Sequence, residues 1–172
     1  MPNYSASTID RIGDITRGIH VKTSILPATT VFDHDPGTKV DNFTVYGRIR
    51  IIGLNFEVTT ALSNNAALLK WQFESTTPVI AASDISAVSL TVAQMVVGGR
   101  IMWRGTAVDT APDISATQAS IAVVQDWMDV GLTAGVGIVS SICTTATCTS
   151  GAGFFNLYYL PISEGAYAVA AQ

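Results

Sequence analysis

The sequence predicts an all-β fold, an antiparallel β-sandwich or jelly-roll-like barrel, on three observations. Short stretches of alternating apolar and polar residues recur along the chain. Turn-forming residues separate them at regular intervals. No stretch sustains the 3.6-residue period of an amphipathic helix. With 172 residues the chain fits one domain, set here at 19–172 and preceded by an arm over 1–18.

The arm differs in texture from the rest. Ile9, Ile12 and Ile15 recur every third position among Asp10, Arg11, Asp14 and Arg17, with Gly13 and Gly18 between them. The pattern is too short and too glycine-broken for a free helix. It reads as a segment that folds only against something else.

The clearest strand covers 48–58. Ile49 and Ile51 share one face and Arg48 and Arg50 the other, but beyond Ile52-Gly53 the apolar residues are Leu54, Phe56 and Val58. The buried parity therefore switches, and a one-residue slip would turn a core face toward water. A bulge at Gly53 corrects it, so the segment is one long bent strand. Ser63-Asn64-Asn65 supplies a turn. Leu69, Trp71 and Phe73 then point inward while Lys70, Gln72 and Glu74 point outward. Residues 45–75 accordingly read as a long antiparallel hairpin. Further strands are expected at 19–26, 29–33, 88–92, 95–104, 106–111, 119–124, 135–143, 153–160 and 165–170. Gly98-Gly99 marks a bend inside the strand that carries Ile101 and Trp103, and 84–87 allows one helical turn.

Composition narrows the function. Hydrophobic residues make up 48% and charged residues 13%, against about 25% charged in an ordinary soluble domain. A core of this size cannot hold the whole apolar surplus, so part of it reaches the surface, where neighbouring subunits cover it. The longest apolar runs are interrupted by Arg50, Gly53, Gln118, Gln125 and Gly137, which leaves no stretch of about 18 apolar residues for a membrane helix. The opening residues lack a basic stretch followed by an apolar one, so no secretory signal and a cytoplasmic origin are expected. Net charge is −4, and every basic residue lies at or before Arg104. The only charged side chains in residues 105–172 are Asp109, Asp113, Asp126, Asp129 and Glu164. Nucleic-acid binding, which needs a clustered basic face, is not expected. An acidic second half is compatible with docking to a basic patch on another protein, and solubility alone also accounts for it.

The search for catalytic chemistry finds little. His34 sits in Phe32-Asp33-His34-Asp35-Pro36-Gly37, and neighbours on an extended strand face opposite ways, so the segment reads as a turn rather than a metal site. Cys143 and Cys148 enclose Thr144-Thr145-Ala146-Thr147. Zinc would need two more ligands, and no other cysteine exists. A cytoplasmic origin favours free, structural thiols. Asp126 and Asp129 flank Trp127-Met128. Paired acids can hydrolyse glycosides, but no aromatic, polar cleft accompanies them. Neither a phosphate loop nor a Gly-x-Ser-x-Gly elbow occurs. No catalytic residue, metal or cofactor is expected.

Two segments carry a resemblance. The run 47–61, Gly-Arg-Ile-Arg-Ile-Ile-Gly-Leu-Asn-Phe-Glu-Val-Thr-Thr-Ala, resembles the opening hairpin of small β-rich virion proteins of tailed double-stranded DNA bacteriophages. The run 154–166, Phe-Phe-Asn-Leu-Tyr-Tyr-Leu-Pro-Ile-Ser-Glu-Gly-Ala, is similar to their closing strand, with a small-residue tail after it. Asn156 and Tyr158 depart from the basic residue such strands carry. The resemblance implies a head decoration (cement) protein, a homotrimer bound to the major capsid protein on the outside of the shell, with no nucleic-acid or membrane partner. The alternative is a tail-associated or fibre-base subunit that binds a receptor or glycan. The residues expected at the contacts are Ile9, Ile12 and Ile15 in the arm and Trp103 and Trp127 as aromatic anchors.

Overall fold

The structure, a computed structural model, describes residues 18–33, 35, 38–103, 111–115 and 128–171. It is an antiparallel β-sandwich. The strands are β1 (Ile19–Lys22), β2 (Leu26–Pro27), β3 (Val40–Tyr46), β4 (Ile49–Thr60), β5 (Leu69–Thr77), β6 (Val79–Asp84), β7 (Arg100–Met102), β8 (Asp113–Ser115), β9 (Met128–Val130), β10 (Val136–Cys143), β11 (Ala152–Pro161) and β12 (Tyr167–Ala170). One helical turn, α1 (Ala28–Val31), follows β2.

The first sheet runs β1-β11-β4-β7-β8, with β2 also on β11 and β9 also on β4; the second runs β12-β3-β10-β5-β6. No pairing among the described residues joins the two sheets, so the sandwich form is realised rather than a closed barrel. Aromatic and branched residues of the two inner faces interdigitate. Ile49, Ile51, Leu54, Phe56, Phe155 and Leu157 from the first sheet meet Phe43, Val45, Leu69, Trp71 and Val139 from the second. Phe56 packs edge-on against Phe32 at 5.4 Å and tilted against Phe155 at 4.9 Å. Hydrogen bonds also cross between the layers. The Ala168 amide donates to the Tyr159 hydroxyl at 3.0 Å, and the Trp103 indole N–H donates to the Ile85 carbonyl at 3.1 Å.

The parity switch in β4 is present where the sequence places it. Tyr158 of β11 pairs with Gly53 while Tyr159 pairs with Ile51, leaving Ile52 as the extra residue. Ile49, Ile51, Leu54, Phe56 and Val58 are all buried as a result. A Cβ on Gly53 would stand 3.2 Å from the Tyr158 ring, so glycine lets that ring lie against the strand.

The hairpin expected over 45–75 is not formed. β4 belongs to the first sheet and β5 to the second, and they face each other across the core. Alternation reveals which face of a strand is buried. It does not reveal whether the next strand pairs beside it or packs opposite. The strand expected at 29–33 is α1, closed by the Phe32 amide donating to the Ala28 carbonyl at 2.8 Å. The strand expected at 19–26 breaks at Thr23, whose hydroxyl accepts from the Phe155 amide at 3.0 Å. Residues 88–92 form no strand. The Val92 amide instead donates to the Ala67 carbonyl at 3.0 Å. The strand expected at 95–104 shrinks to β7, because Gly98 (φ +83°) and Gly99 form a turn ahead of it. β10, β11 and β12 match the expected 135–143, 153–160 and 165–170 closely. Residues 106–110 and 119–124 lie outside the described residues.

Candidate interaction surface

β6 is the edge strand of the second sheet, paired on one side only, with β5. All six of its residues are exposed. Val79 is 83% and Ile80 49% exposed, and Ala81 and Ala82 follow them. Its single charge, Asp84, is held by Lys70 at 2.8 Å. Edge strands normally carry lysines, prolines or inward charges that discourage pairing. Here the deterrent is a bulge, since Ala81 and Ala82 together oppose Glu74 between the Phe73–Ser83 and Ser75–Ile80 pairs. A bulge twists the backbone away from ladder extension. The surface therefore suits side-chain contact better than the addition of a long strand.

The apolar character continues around the same pole of the sandwich. Gly135 stands between the Thr77 carbonyl, at the start of the β5–β6 turn, and Leu132, which is 39% exposed. The Gly47 amide donates to the Gly135 carbonyl at 2.8 Å, and the Ile162 amide donates to the Arg48 carbonyl at 2.9 Å. These bonds lock the 47–48, 131–135 and 161–163 segments together and leave Ile162 outside. On β12, Tyr167 and Val169 are also exposed, with Tyr167 stacked on Tyr46 at 4.6 Å.

Charges near this pole are consumed locally. Arg50 donates to Asp129 at 2.7 Å and Arg48 donates to it at 3.2 Å. The Arg50 hydrogen bond holds the Asp129 carboxyl below its ordinary value, against an opposing push from burial. The outer face of the first sheet is different in kind. His20 stacks on Tyr158 at 4.5 Å and its Nε2 meets the Asn156 amide oxygen at 2.8 Å. The Asn156 amide N–H donates to Asn55 at 2.9 Å, and Lys22 lies 3.5 Å over the Phe154 ring.

The expected contact residues fare unequally. Trp103 is a core residue, 1% exposed. With its indole N–H bonded inward, it offers no surface to a partner. Ile9, Ile12, Ile15 and Trp127 lie outside the described residues, as does Asp126. Sequence reading missed Val79 and Ile80 because Pro78 ends the alternating run of β5, and the apolar stretch behind it has no period of its own.

The remaining candidates are structural. The Asp35 amide donates to the Asp33 carboxylate at 3.3 Å, which is a turn, as expected of the segment around His34. Cys143 and Cys148 are free and buried, and burial pushes both thiols up. Among the described residues no three His, Cys, Asp or Glu side chains gather to hold a metal ion, and no helix is long and apolar enough to cross a membrane.

Comparison with protein-family models, characterised proteins and solved structures found no match to this chain.

Proposed function

We propose that this chain is a virion structural subunit, a head decoration (cement) protein of a tailed bacteriophage. In this reading it forms a homo-oligomer, a trimer, on the outer surface of the capsid shell and acts by burial rather than catalysis. The observation that carries the proposal is β6, an apolar edge strand exposed along its whole length and neutralised at its one charge. Leaving such a surface in water forfeits about 25 cal/mol for each Å² of apolar area. A neighbouring copy or the major capsid protein recovers that energy. A standard interface buries about 1,600 Å² in total. A single strand with Leu132 beside it falls short of that, so one contact alone is weak. A trimer seated on a local three-fold axis makes its lattice contacts together, and multivalency turns weak contacts into durable attachment.

The competing reading is a tail-associated subunit that binds a receptor glycan. The His20–Tyr158 stack speaks for it, since His20 is exposed and aromatic rings are groups on which sugars pack. Copy number decides between the two. Gel staining against the major shell protein should give hundreds of copies per particle for decoration and few for a tail subunit. The purified chain should also elute as a trimer and protect empty heads against heat. A monomer with no affinity for empty heads would overturn the proposal.

A further inference from the structure

The register between β3 and β10 contains an irregularity whose side chains have no account in the fold. Val139 pairs with Phe43, but the next residue, Ser140, pairs with Asp41. Asn42 is therefore the extra residue of a bulge, and in such a bulge two consecutive residues of one strand oppose one residue of the other. The register thus brings Asp41, Asn42 and Ser140 to one spot. The parity of β10 places it on the outer side of the second sheet, because Val139 and Cys143 face the core.

Several polar atoms there are buried without a hydrogen bond. Asn42 is 0% exposed and neither its amide oxygen nor its amide nitrogen has a hydrogen-bond partner. Ser140 is also 0% exposed with an unpartnered hydroxyl, and one carboxylate oxygen of Asp41 is buried without a hydrogen bond. The Lys39 ammonium forms an ion pair with that oxygen at 3.8 Å, too long for a hydrogen bond, and the rest of the Asp41 side chain reaches solvent. Buried polar groups are nearly always paired, with protein or with an ordered water. Asn42 and Ser140 break the rule together at one bulge, beside an Asp41 carboxylate oxygen without a hydrogen bond, and this points to a shared ligand.

We infer that the β3 bulge is a binding site for an internal water molecule, held by the Asp41 carboxylate, the Asn42 amide and the Ser140 hydroxyl. The donor and acceptor inventory selects water over a cation. Two acceptors, the Asp41 and Asn42 oxygens, stand beside an N–H donor on Asn42 and a hydroxyl that can do either. Water donates twice and accepts as well, so one molecule can donate to both oxygens while accepting from Asn42 and Ser140. A metal ion would leave the Asn42 N–H unpaired and would face the Lys39 ammonium. Buried waters typically make about three hydrogen bonds to groups of this kind. The site also bears on the end of the chain. The Asn42 carbonyl accepts from the Ala171 amide at 2.9 Å, which fastens the far end of β12 to β3. A hydrated, rigid bulge keeps that carbonyl in place.

A high-resolution crystal structure of the full chain tests this directly. The expected result is an isolated density peak about 2.7–3.2 Å from the Asp41, Asn42 and Ser140 polar atoms. Crystals soaked in rubidium chloride should show no anomalous signal at that peak. An anomalous rubidium peak would make the site a cation site and overturn the inference, as would absent density with the Asn42 amide turned onto a protein group. In solution, water-to-amide transfer at the bulge should be visible by NMR and lost in Asn42→Leu. Amide exchange at 168–171 should accelerate severalfold in that variant. Unchanged transfer and exchange in a folded Asn42→Leu would also overturn it; if that variant does not fold, Ser140→Ala serves with the same readouts.

Discussion

β4 and β6 both carry valine and isoleucine and end in opposite circumstances. β4 lies inside the first sheet, with β11 on one side and β7 and β9 on the other. Its inward residues are all buried, and its outward charges are matched, Arg50 to Asp129 and Glu57 to Arg100. β6 has one neighbour and no covered face. Valine and isoleucine thus lie in the core in one strand and against solvent in the other. The difference lies in the number of neighbours the topology supplies, since what a branched apolar residue contributes to a strand depends on the packing around it.

The comparison breaks most visibly in the core. Trp103→Ala removes a buried ring and the bond to Ile85, and should destabilise the chain by about 3–5 kcal/mol in urea denaturation. The oligomeric state of whatever remains folded should not change. The mirror experiment is Val79→Asp with Ile80→Lys. Surface substitutions of this kind shift stability by no more than about 0.5 kcal/mol, yet the trimer expected in sedimentation should dissociate and binding to empty heads should fall. A trimer that survives this double substitution places the contact elsewhere.

Smaller effects sharpen the contrast. Cys143 and Cys148 lie inside, with thiols raised by burial. Iodoacetamide at neutral pH should leave both unmodified in the native chain and modify both after denaturation. The smallest effect is electrostatic. The Asp129 carboxyl is depressed by its bond to Arg50, so the stability it contributes is fully present above the ordinary carboxylate value of about 3.9. It is lost as pH falls through the lower folded value. Thermal melts of Asp129→Asn and the unchanged chain should therefore converge at strongly acidic pH and separate above it. The separation should shrink with added salt.

Legibility in the sequence follows the same divide. The bent strand at Gly53 was readable because a parity switch in a long apolar strand has one economical remedy, and the closing strands were readable from alternation and turn residues. The partner of each strand was not. Leu69 and Trp71 lie in the sheet opposite Phe56 and Ile51 rather than beside them, and period-2 alternation is the same in either arrangement. Of the contact residues, Trp103 misled because a large aromatic reads alike as core and as anchor. Val79 and Ile80 escaped notice because a solvent-covered edge imposes no period on its residues.

The order of residues alone therefore determined the strand-built class, the bend in β4 and the shortage of charge, because each follows from local geometry or from counting. Which strands became neighbours, which edge stayed open and where polar side chains were buried at a bulge were decided only by the tertiary structure. Those outcomes depend on contacts between residues far apart in the chain, and no local pattern encodes them.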